Sequence, residues 1–373
     1  MKITIIGGSV GGLVTGISLL KAGFDVNIYE RSPSEMRGRG AGLVIQPNLK
    51  EFVVDNGIST KSLFGVAAEE RQILDINGNV ISRYGNDTSF SSWNYLWKQL
   101  RDFFPDNRYH YGARVDSVSQ DDDGVYAKFD NGKVVSADLL IGADGYSSVT
   151  RENFLPQVQP IYAGYIAYRG LIEEKELSRK EADFFDSRFT LFPYDHSHLL
   201  AYLIPGQNGE LTPGKRLLNW VWFVNKSKFE LEKVMTDKNG ITREFSIPSG
   251  YINELSRAEL HTRAKRELPT VFSDCVLRTE DPFVQAIIDM EVPRMYDMRI
   301  VLIGDAAFLV RPHTASGTAK AYEDGAALAL ALTNGLPLER ALSQWNRSQM
   351  DYAMSLVHYG KMLAAQSGLG HFG

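Results

Sequence analysis

The sequence predicts an α/β fold: a parallel sheet flanked by helices, with a mixed or antiparallel sheet inserted into it and a helix closing the chain. Three observations predict it. Lys2-Ile3-Thr4-Ile5-Ile6 is short, apolar and β-branched, as a strand buried on both faces should be. A glycine-rich turn, Gly7-Gly8-Ser9-Val10-Gly11-Gly12, follows at once and leads into helical spacing from Leu13 to Ala22, with Leu13, Ile17 and Leu20 on one side. Two later apolar strands, Leu139-Leu140-Ile141 and Arg299-Ile300-Val301-Leu302-Ile303, also run straight into turns that pair glycine with aspartate.

The first unit of pattern continues past Gly23 into a second strand, Asp25-Val26-Asn27-Ile28-Tyr29, which ends in Glu30. This order has a chemical use. Small residues let the backbone approach a pyrophosphate, and the start of a helix offers free N–H groups and a partial positive charge. An acid at the end of the second strand takes the two hydroxyls of an adenosine ribose. Ser9 stands where a middle glycine is usual; it is small enough to pass, and its hydroxyl can bond a phosphate. The segment therefore reads as a Rossmann-like dinucleotide site.

Beyond Glu30, the Arg- and Gly-rich segment from Arg31 to Gln46 is expected to form a second wall of that site. Leu49 to Asn56 reads as a short helix closed by Gly57. Arg71 to Tyr84 reads as a hairpin turning at Asn77-Gly78. Tyr95 to Phe104 is helical, and Tyr109 to Phe129 alternates like strands, with turns at Asp121–Gly124 and Asn131-Gly132. A small antiparallel sheet thus interrupts the nucleotide-binding unit before Ala137 to Ile141 returns to the parallel core.

From Tyr162 to about Trp222 the pattern changes to aromatic-rich strands, including His198–Ile204 and Leu218–Val224. Lys226 to Arg266 reads as charged and mostly helical with a break at Gly240, and the core is expected to return near Pro282. Ala319 to Leu332 and Leu338 to Leu363 read as helices.

Length and composition bound the rest. A chain of 373 residues suits two domains, and 44% hydrophobic with 23% charged residues is globular. A net charge of −5 argues against nucleic acid as a partner. One cysteine, Cys275, excludes an internal disulfide and suits a reducing compartment. No apolar run reaches membrane-spanning length, and a cleaved signal peptide would destroy the nucleotide motif, so a cytoplasmic location without a membrane partner is expected. The histidines are scattered, so no metal site is expected.

Two motifs add to the first. Ile141-Gly142-Ala143-Asp144-Gly145 is followed by Ser147, Ser148 and Arg151. It reads either as a strand-to-helix turn capped by Ser148 or as an acid, Asp144, beside a bound nucleotide. Ile303-Gly304-Asp305-Ala306-Ala307 places Asp305 at the carboxyl edge of the sheet, where open α/β folds bind ligands. Arg311-Pro312-His313 and Ser316-Gly317-Thr318-Ala319 then open a helix whose first N–H groups suit an anion, such as the charge on a two-electron-reduced flavin.

On these residues the chain resembles the single-component flavoprotein aromatic hydroxylases over essentially its whole length: Gly7 to Glu30, Asp144-Gly145 and Gly304-Asp305 match that family's three motifs in order and spacing. The resemblance implies a p-hydroxybenzoate hydroxylase-like fold. Residues 1–70, 98–160 and 283–340 would form a discontinuous FAD-binding domain, 71–97 and 161–282 a substrate domain, and 341–373 a C-terminal helix. It implies FAD as cofactor, with Gly7, Ser9, Val10 and Gly12 at the pyrophosphate and Glu30 and Arg31 at the adenosine end. Gly42 and Leu43 would line the cofactor, Val115 would meet the adenine, and Asp144 would lie near the nucleotide. Asp305 would bond the ribityl or pyrophosphate side, and Pro312, Gly317, Thr318 and Ala319 would face the isoalloxazine.

It also implies NADH or NADPH as co-substrate, and O2 with a small aromatic substrate as partners. The reaction would hydroxylate an electron-rich aromatic or N-heteroaromatic ring, hydroxypyridine- or phenol-like, through a flavin C4a-hydroperoxide. A homodimer is compatible with it. Two departures stand out: Phe308 occupies a position where relatives carry His, and no Arg lies between Trp93 and Trp97, which leaves Arg39 or Arg101 as a substitute pyrophosphate cation. Tyr202, Trp220 or Trp222, and His313 are the candidate substrate residues, against the alternative that these aromatics are core; no catalytic residue is singled out. Two other readings compete. One is an FAD oxidoreductase of the reductase or saturase type that inserts no oxygen, and the other is a non-enzymatic flavin-binding module.

Overall fold

The computed structural model describes residues 1–36, 41–59 and 65–370. Arg37 to Gly40, including Arg39, lie outside the described residues. The chain packs as two units of three segments each. Met1–Arg37, Leu96–Ile161 and Asp289–Lys361 make the first, and Gly38–Tyr95, Tyr162–Ile288 and Met362–Gly373 the second. The strand Gly42–Ile45 and helix Pro47–Asp55, grouped above with the nucleotide-binding part, belong to the second unit.

The first unit is built on a six-stranded sheet in the order Tyr296–Asp297, Ile300–Leu302, Leu139–Gly142, Lys2–Ile6, Asp25–Tyr29, Tyr109–His110. All neighbours are parallel except the first pair. Registers such as Ile5 with Ile141 and Ile28, and Ile141 with Val301, bring the carboxyl ends of the three motif-bearing strands to one edge. Ile3, Ile5, Leu139, Ile141 and Val301 are fully buried. Each such side chain contributes about 1.5–3 kcal/mol relative to exposure, which is why these runs carry no polar face. The strands Val115–Gln120, Val125–Phe129 and Val134–Ala137 form the small antiparallel sheet. Its first turn is held by the Asp121 carboxylate, which accepts from the backbone N–H of Asp123 and Gly124.

The helices Val10–Lys21 and Gly317–Thr333 pack closely because glycine permits it: a Cβ on Gly325 would sit 2.0 Å from Thr15 Oγ1. The closing helix, Leu338–Gln366, begins where its pattern begins.

The second unit carries a large, mostly antiparallel sheet, whose central strands are Ile161–Glu173, Leu217–Asn225, Ser197–Ile204, Arg188–Tyr194, Val66–Leu74 and Val80–Ser92 in that spatial order. The hairpin expected at Arg71–Tyr84 is the tip of the longer pair Val66–Leu74 and Val80–Ser92. One face of this sheet, with Ile166, Tyr168, Leu199, Leu203, Trp220 and Trp222, packs on helices Glu254–Glu267 and Thr270–Arg278. The opposite face carries Tyr165, Arg169, Asn219, Phe223, His198 and Tyr202 by period-two alternation. Lys226–Arg266 is less helical than its charge pattern implies. Between helices Lys228–Val234 and Glu254–Glu267 the chain is irregular apart from the strand Ser246–Ile247, and the Asp237 carboxylate, bonded by the N–H of Asn239 and Ile241 and by Arg243 Nε, organises it. The return near Pro282 is the strand Phe283–Glu291, which joins the large sheet rather than the parallel one.

Candidate functional site

The three motifs of the first unit converge at the carboxyl edge of its sheet. Gly7 has φ +104°, and a Cβ there would lie 2.3 Å from Ala143 O and 2.9 Å from Asp144 N, so the first motif rests on the second. A Cβ on Gly11 or on Gly304 would in each case lie 3.1 Å from Ala321 Cβ, so the first and third motifs both abut the opening of the helix Gly317–Thr333. A Cβ on Gly12 would fall 2.0 Å from Gly7 O, which fixes glycine where the turn doubles back on its own helix.

Ser9 is the N-cap of the helix Val10–Lys21 but makes no capping bond, leaving its hydroxyl available beside the helix start. Val10 is buried. Glu30 is 5% exposed, and its carboxylate accepts from Gly8 N and Ser32 N, each at 2.8 Å. Those bonds tie the end of the second strand to the glycine turn. Arg31 is exposed, and its Nη1 reaches Ser147 Oγ at 3.3 Å. Val115 is buried in a cluster with Tyr29 and Phe129, so its side chain belongs to the core. Its neighbour Ala113 donates from its N–H to Glu30 O.

Asp144 fulfils the capping alternative: its carboxylate accepts from Ser148 Oγ at 2.5 Å and from Thr150 N and Oγ1 at 3.1 Å, while Ser148 Oγ accepts from Arg151 N. Its main chain still borders Gly7.

Asp305 differs from Asp144. Its side chain is exposed to solvent, and desolvation by the protein around it pushes its carboxyl up to about 6 against the pull of Lys320. It makes no hydrogen bond to the described residues. Beneath it Lys320 and Asp324, 1% and 0% exposed, form a buried pair at 2.5 Å, and Asp324 also accepts from Gly304 N at 2.8 Å. The sequence reading missed this pair. Its signal is a lysine and an aspartate four apart in an alanine-rich helix.

Pro312–Thr314 is a 3₁₀ turn that includes His313, and Ala315 follows at φ 52°. Arg311 anchors this turn by a two-bond pair to Asp289 at 2.6 and 2.8 Å. Ser316 is the N-cap of the next helix, its hydroxyl donating to Thr314 O at 2.9 Å rather than capping, and a Cβ on Gly317 would meet nothing within 4 Å, so the helix start is open at Gly317.

Within the second unit, Gly42 donates from its N–H to Asn219 Oδ1 at 2.9 Å, and Leu43 is half-buried on the strand Gly42–Ile45. Tyr202 stacks on Phe90 at 3.9 Å and Phe189 at 5.8 Å, and burial pushes its hydroxyl up to about 12. Trp222 stands on the other face of the same sheet. It is fully buried, and its indole N–H donates to Tyr194 OH and Ser197 Oγ, each at 3.1 Å. Trp220 is on that face too, bonded to Thr279. The expectation of a substrate-facing Trp222 is therefore corrected: alternation puts it one position out of phase with Tyr202. His198 shares Tyr202's face and is held neutral, with burial lowering its pKa to about 4. Arg169, also on that face and missed by the sequence reading, makes no hydrogen bond to the described residues, and its Nε is buried. Arg101 is committed elsewhere, to Tyr111, Phe104 O and Asp106, so it is no substitute pyrophosphate cation. Arg39 lies outside the described residues.

A family model described as FAD binding domain-like matches residues 162–289. The chain is 33% identical to the 2,6-dihydroxypyridine 3-monooxygenase of Paenarthrobacter nicotinovorans, over 98% of this chain and 91% of that protein. It belongs to the FAD-dependent aromatic hydroxylases. The hydroxylase is also 27% identical to the 6-hydroxynicotinate 3-monooxygenase of Bordetella bronchiseptica, over 88% of this chain and 81% of that one. The solved structure of 2,6-dihydroxypyridine-3-hydroxylase from Arthrobacter nicotinovorans matches it with a TM-score of 0.94 at 33% identity, covering 100% of this chain and 94% of that one. The enzyme is an FAD-dependent monooxygenase that takes electrons from NADH or NADPH. That membership sets aside the reductase and non-enzymatic readings. The first unit fits FAD on its own geometry: a glycine-lined turn, a Ser9 hydroxyl that makes no capping bond, a carboxylate at Asp305 without a hydrogen-bond partner among the described residues, and an open helix start at Gly317. No described helix is long and apolar enough to cross a membrane, and no group of three metal-ligating side chains occurs among the described residues.

Proposed function

We propose that this hydroxylase adds one oxygen atom to a hydroxypyridine-class ring, an electron-rich N-heteroaromatic bearing at least one ring oxygen. The observation that carries the reading is the 33% identity to the 2,6-dihydroxypyridine enzyme along 98% of the chain. The balance is substrate, O2, NAD(P)H and a proton giving hydroxylated substrate, water and NAD(P)+.

In this reading the first unit is the FAD-binding domain. Gly7, Ser9, Val10 and Gly12 hold the pyrophosphate by main-chain N–H groups and the Ser9 hydroxyl, and Glu30 and Arg31 hold the adenosine end. Val115 flanks the adenine only through its backbone, since its side chain is core. Asp144 supports the turn from below. Asp305 takes a hydroxyl or phosphate-side group of the chain between the two ends. Pro312, Gly317, Thr318 and Ala319 face the flavin ring, and the helix start at Gly317 stabilises negative charge on it. Gly42 and Leu43, expected to line the cofactor, lie in the second unit. Bound FAD supplies the redox chemistry and the activation of O2.

The chain's own residues position and exclude. Phe90, Phe189 and Tyr202 offer stacked aromatic surface for a planar ring, which keeps water from it. His313, the other expected substrate residue, lies in the first unit. We place the enzyme in the cytoplasm, where NAD(P)H is supplied and the buried Cys275 stays reduced, and as a homodimer, which light scattering in solution tests.

The test is aerobic turnover of the FAD-loaded protein with NADH and with NADPH across hydroxypyridines and phenols, in 18O2. Substrate-stimulated oxidation that yields a product heavier by one labelled oxygen supports the reading. NAD(P)H oxidation without oxygenated product, for every hydroxypyridine tried, overturns it.

A further inference from the structure

The face of the large sheet that carries Tyr202 also carries three polar groups with unmet hydrogen-bonding capacity. In register, Leu171, Asn219 and Tyr202 lie directly opposite one another on three adjacent strands, and Arg169 is two residues from Leu171 on the same side. Arg169 is therefore the diagonal neighbour of Asn219, at a separation of about 7–8 Å that a long side chain spans. Arg169 has no hydrogen-bond partner among the described residues, and its Nε is buried. Asn219 is fully buried; its Oδ1 accepts from Gly42 N, so the amide is oriented and its Nδ2 is the group left without a partner. Tyr202 is 5% exposed, and its hydroxyl makes no bond to the described residues. Gly42 keeps these groups close, because a Cβ there would lie 2.7–2.9 Å from Tyr202 and Asn219.

What remains is an excess of donors. A guanidinium offers five N–H bonds, the oriented amide two more and the phenol one, and the described residues set no carboxylate against the guanidinium. Leaving such groups buried and unmet is costly, so the set is built for an acceptor that arrives from outside. The acceptor must be planar, to lie against Tyr202 and its stacked neighbours Phe90 and Phe189, and rich in negatively charged oxygen.

We propose that Arg169, with Asn219 and Tyr202, forms an oxyanion site that binds the aromatic substrate as its ring-oxygen anion. The inference rests on the substrate class proposed above and adds which side chains of this chain hold the ring oxygen. A bound oxyanion makes the ring more electron-rich, which is the form an electrophilic oxygen donor attacks fastest, and no protein base is then needed to remove the proton at that step. Arg169 acts by touching the substrate. Asn219 is a positioning residue as well as a donor, since it also holds Gly42.

The test uses FAD-loaded enzyme, kept anaerobic and without NAD(P)H, titrated with four probes while the flavin absorption is followed. The probes are 2,6-dihydroxypyridine and its non-ionisable 2,6-dimethoxy analogue, and 4-nitrophenolate and its neutral partner 4-nitroanisole. R169Q is expected to weaken binding of both anions about 10- to 100-fold and leave the two neutral probes unchanged. R169K is expected to recover part of the loss, and FAD content and melting temperature to match wild type.

If R169Q binds both anions as wild type does, or loses anions and neutral probes equally, the oxyanion site is wrong. Loss of FAD in R169Q would assign the guanidinium to the cofactor and also overturn it. If 4-nitrophenolate depends on Arg169 while no hydroxypyridine binds wild type, the oxyanion site stands and the substrate class falls.

Discussion

In the proposed reading the first unit offers its ligand mostly main-chain groups, whereas the second offers side chains. At the carboxyl edge of the parallel sheet Gly7 and Gly12 let the backbone pack closely and Gly317 leaves a helix start open, and the side chains there largely brace the backbone: Glu30 bonds Gly8 and Ser32, and Asp144 bonds Ser148 and Thr150. On the aromatic face of the large sheet the order is reversed. The backbone is consumed by strand pairing, and in the proposed reading recognition falls to Arg169, Asn219 and Tyr202. A main-chain site tolerates little change in shape but suits one conserved phosphate chemistry. A side-chain site can be re-cut for a new ring without disturbing the sheet that carries it.

That contrast can be broken by experiment. The largest effect is expected at the exception within the first unit, where a buried charge pair supports the helix start. K320M would strand Asp324 in the interior and destabilise the protein by about 3–5 kcal/mol in chemical denaturation. A loss under about 1 kcal/mol would mean the pair does not hold that helix. Next, G12A pushes a methyl into Gly7 O, which cannot yield because it is backbone. It is expected to cost about 1–3 kcal/mol and to leave the protein without FAD after gel filtration. Full retention of the cofactor would show that the turn is not its binding element.

The second unit is sharpened by a pair of variants on opposite faces of one sheet. W222F removes an indole bonded to Tyr194 and Ser197 and should lower stability by about 1–2 kcal/mol with an unchanged KM. Y202F should raise KM with little change in melting temperature. The reverse pattern would exchange the roles of the two faces.

The smallest effect concerns Asp305. Its carboxyl sits at about 6 in the folded chain against an ordinary 3.8, so the stability it contributes is fully present below the ordinary value and is lost as pH rises through about 6. In FAD-free protein, D305N should flatten the fall in melting temperature across that window. Identical pH profiles for the two proteins would place Asp305 outside any enclosing recess.

The same contrast explains what could be read from the sequence. The first unit was legible because its constraints are local: a buried parallel strand must be apolar, a tight approach must be glycine, and the acid that ends the second strand bonds the glycine turn beside it. The second unit was legible only in outline. Alternation correctly puts His198 and Tyr202 on one face, but which face meets helices is settled by packing far along the chain, and for Trp222 it is the core alternative that holds. Arg169 escaped notice because a single arginine in a strand carries no signal until its neighbours fail to satisfy it. The irregular run between Val234 and Asn253 was misread as helix, because its charge pattern shows nothing of the loop that Asp237 ties together.

The measurement that bears most directly on the first unit is the affinity of the FAD-free protein for FAD against FMN, followed by quenching of flavin fluorescence. FMN carries the reacting ring but lacks the adenosine half assigned to the glycine turn and Glu30. The geometry predicts FAD binding at one per chain and at least about 100-fold tighter than FMN, a difference of roughly 2.7 kcal/mol. Equal affinities, or no binding of FAD at all, would contradict the assignment of that turn to the dinucleotide.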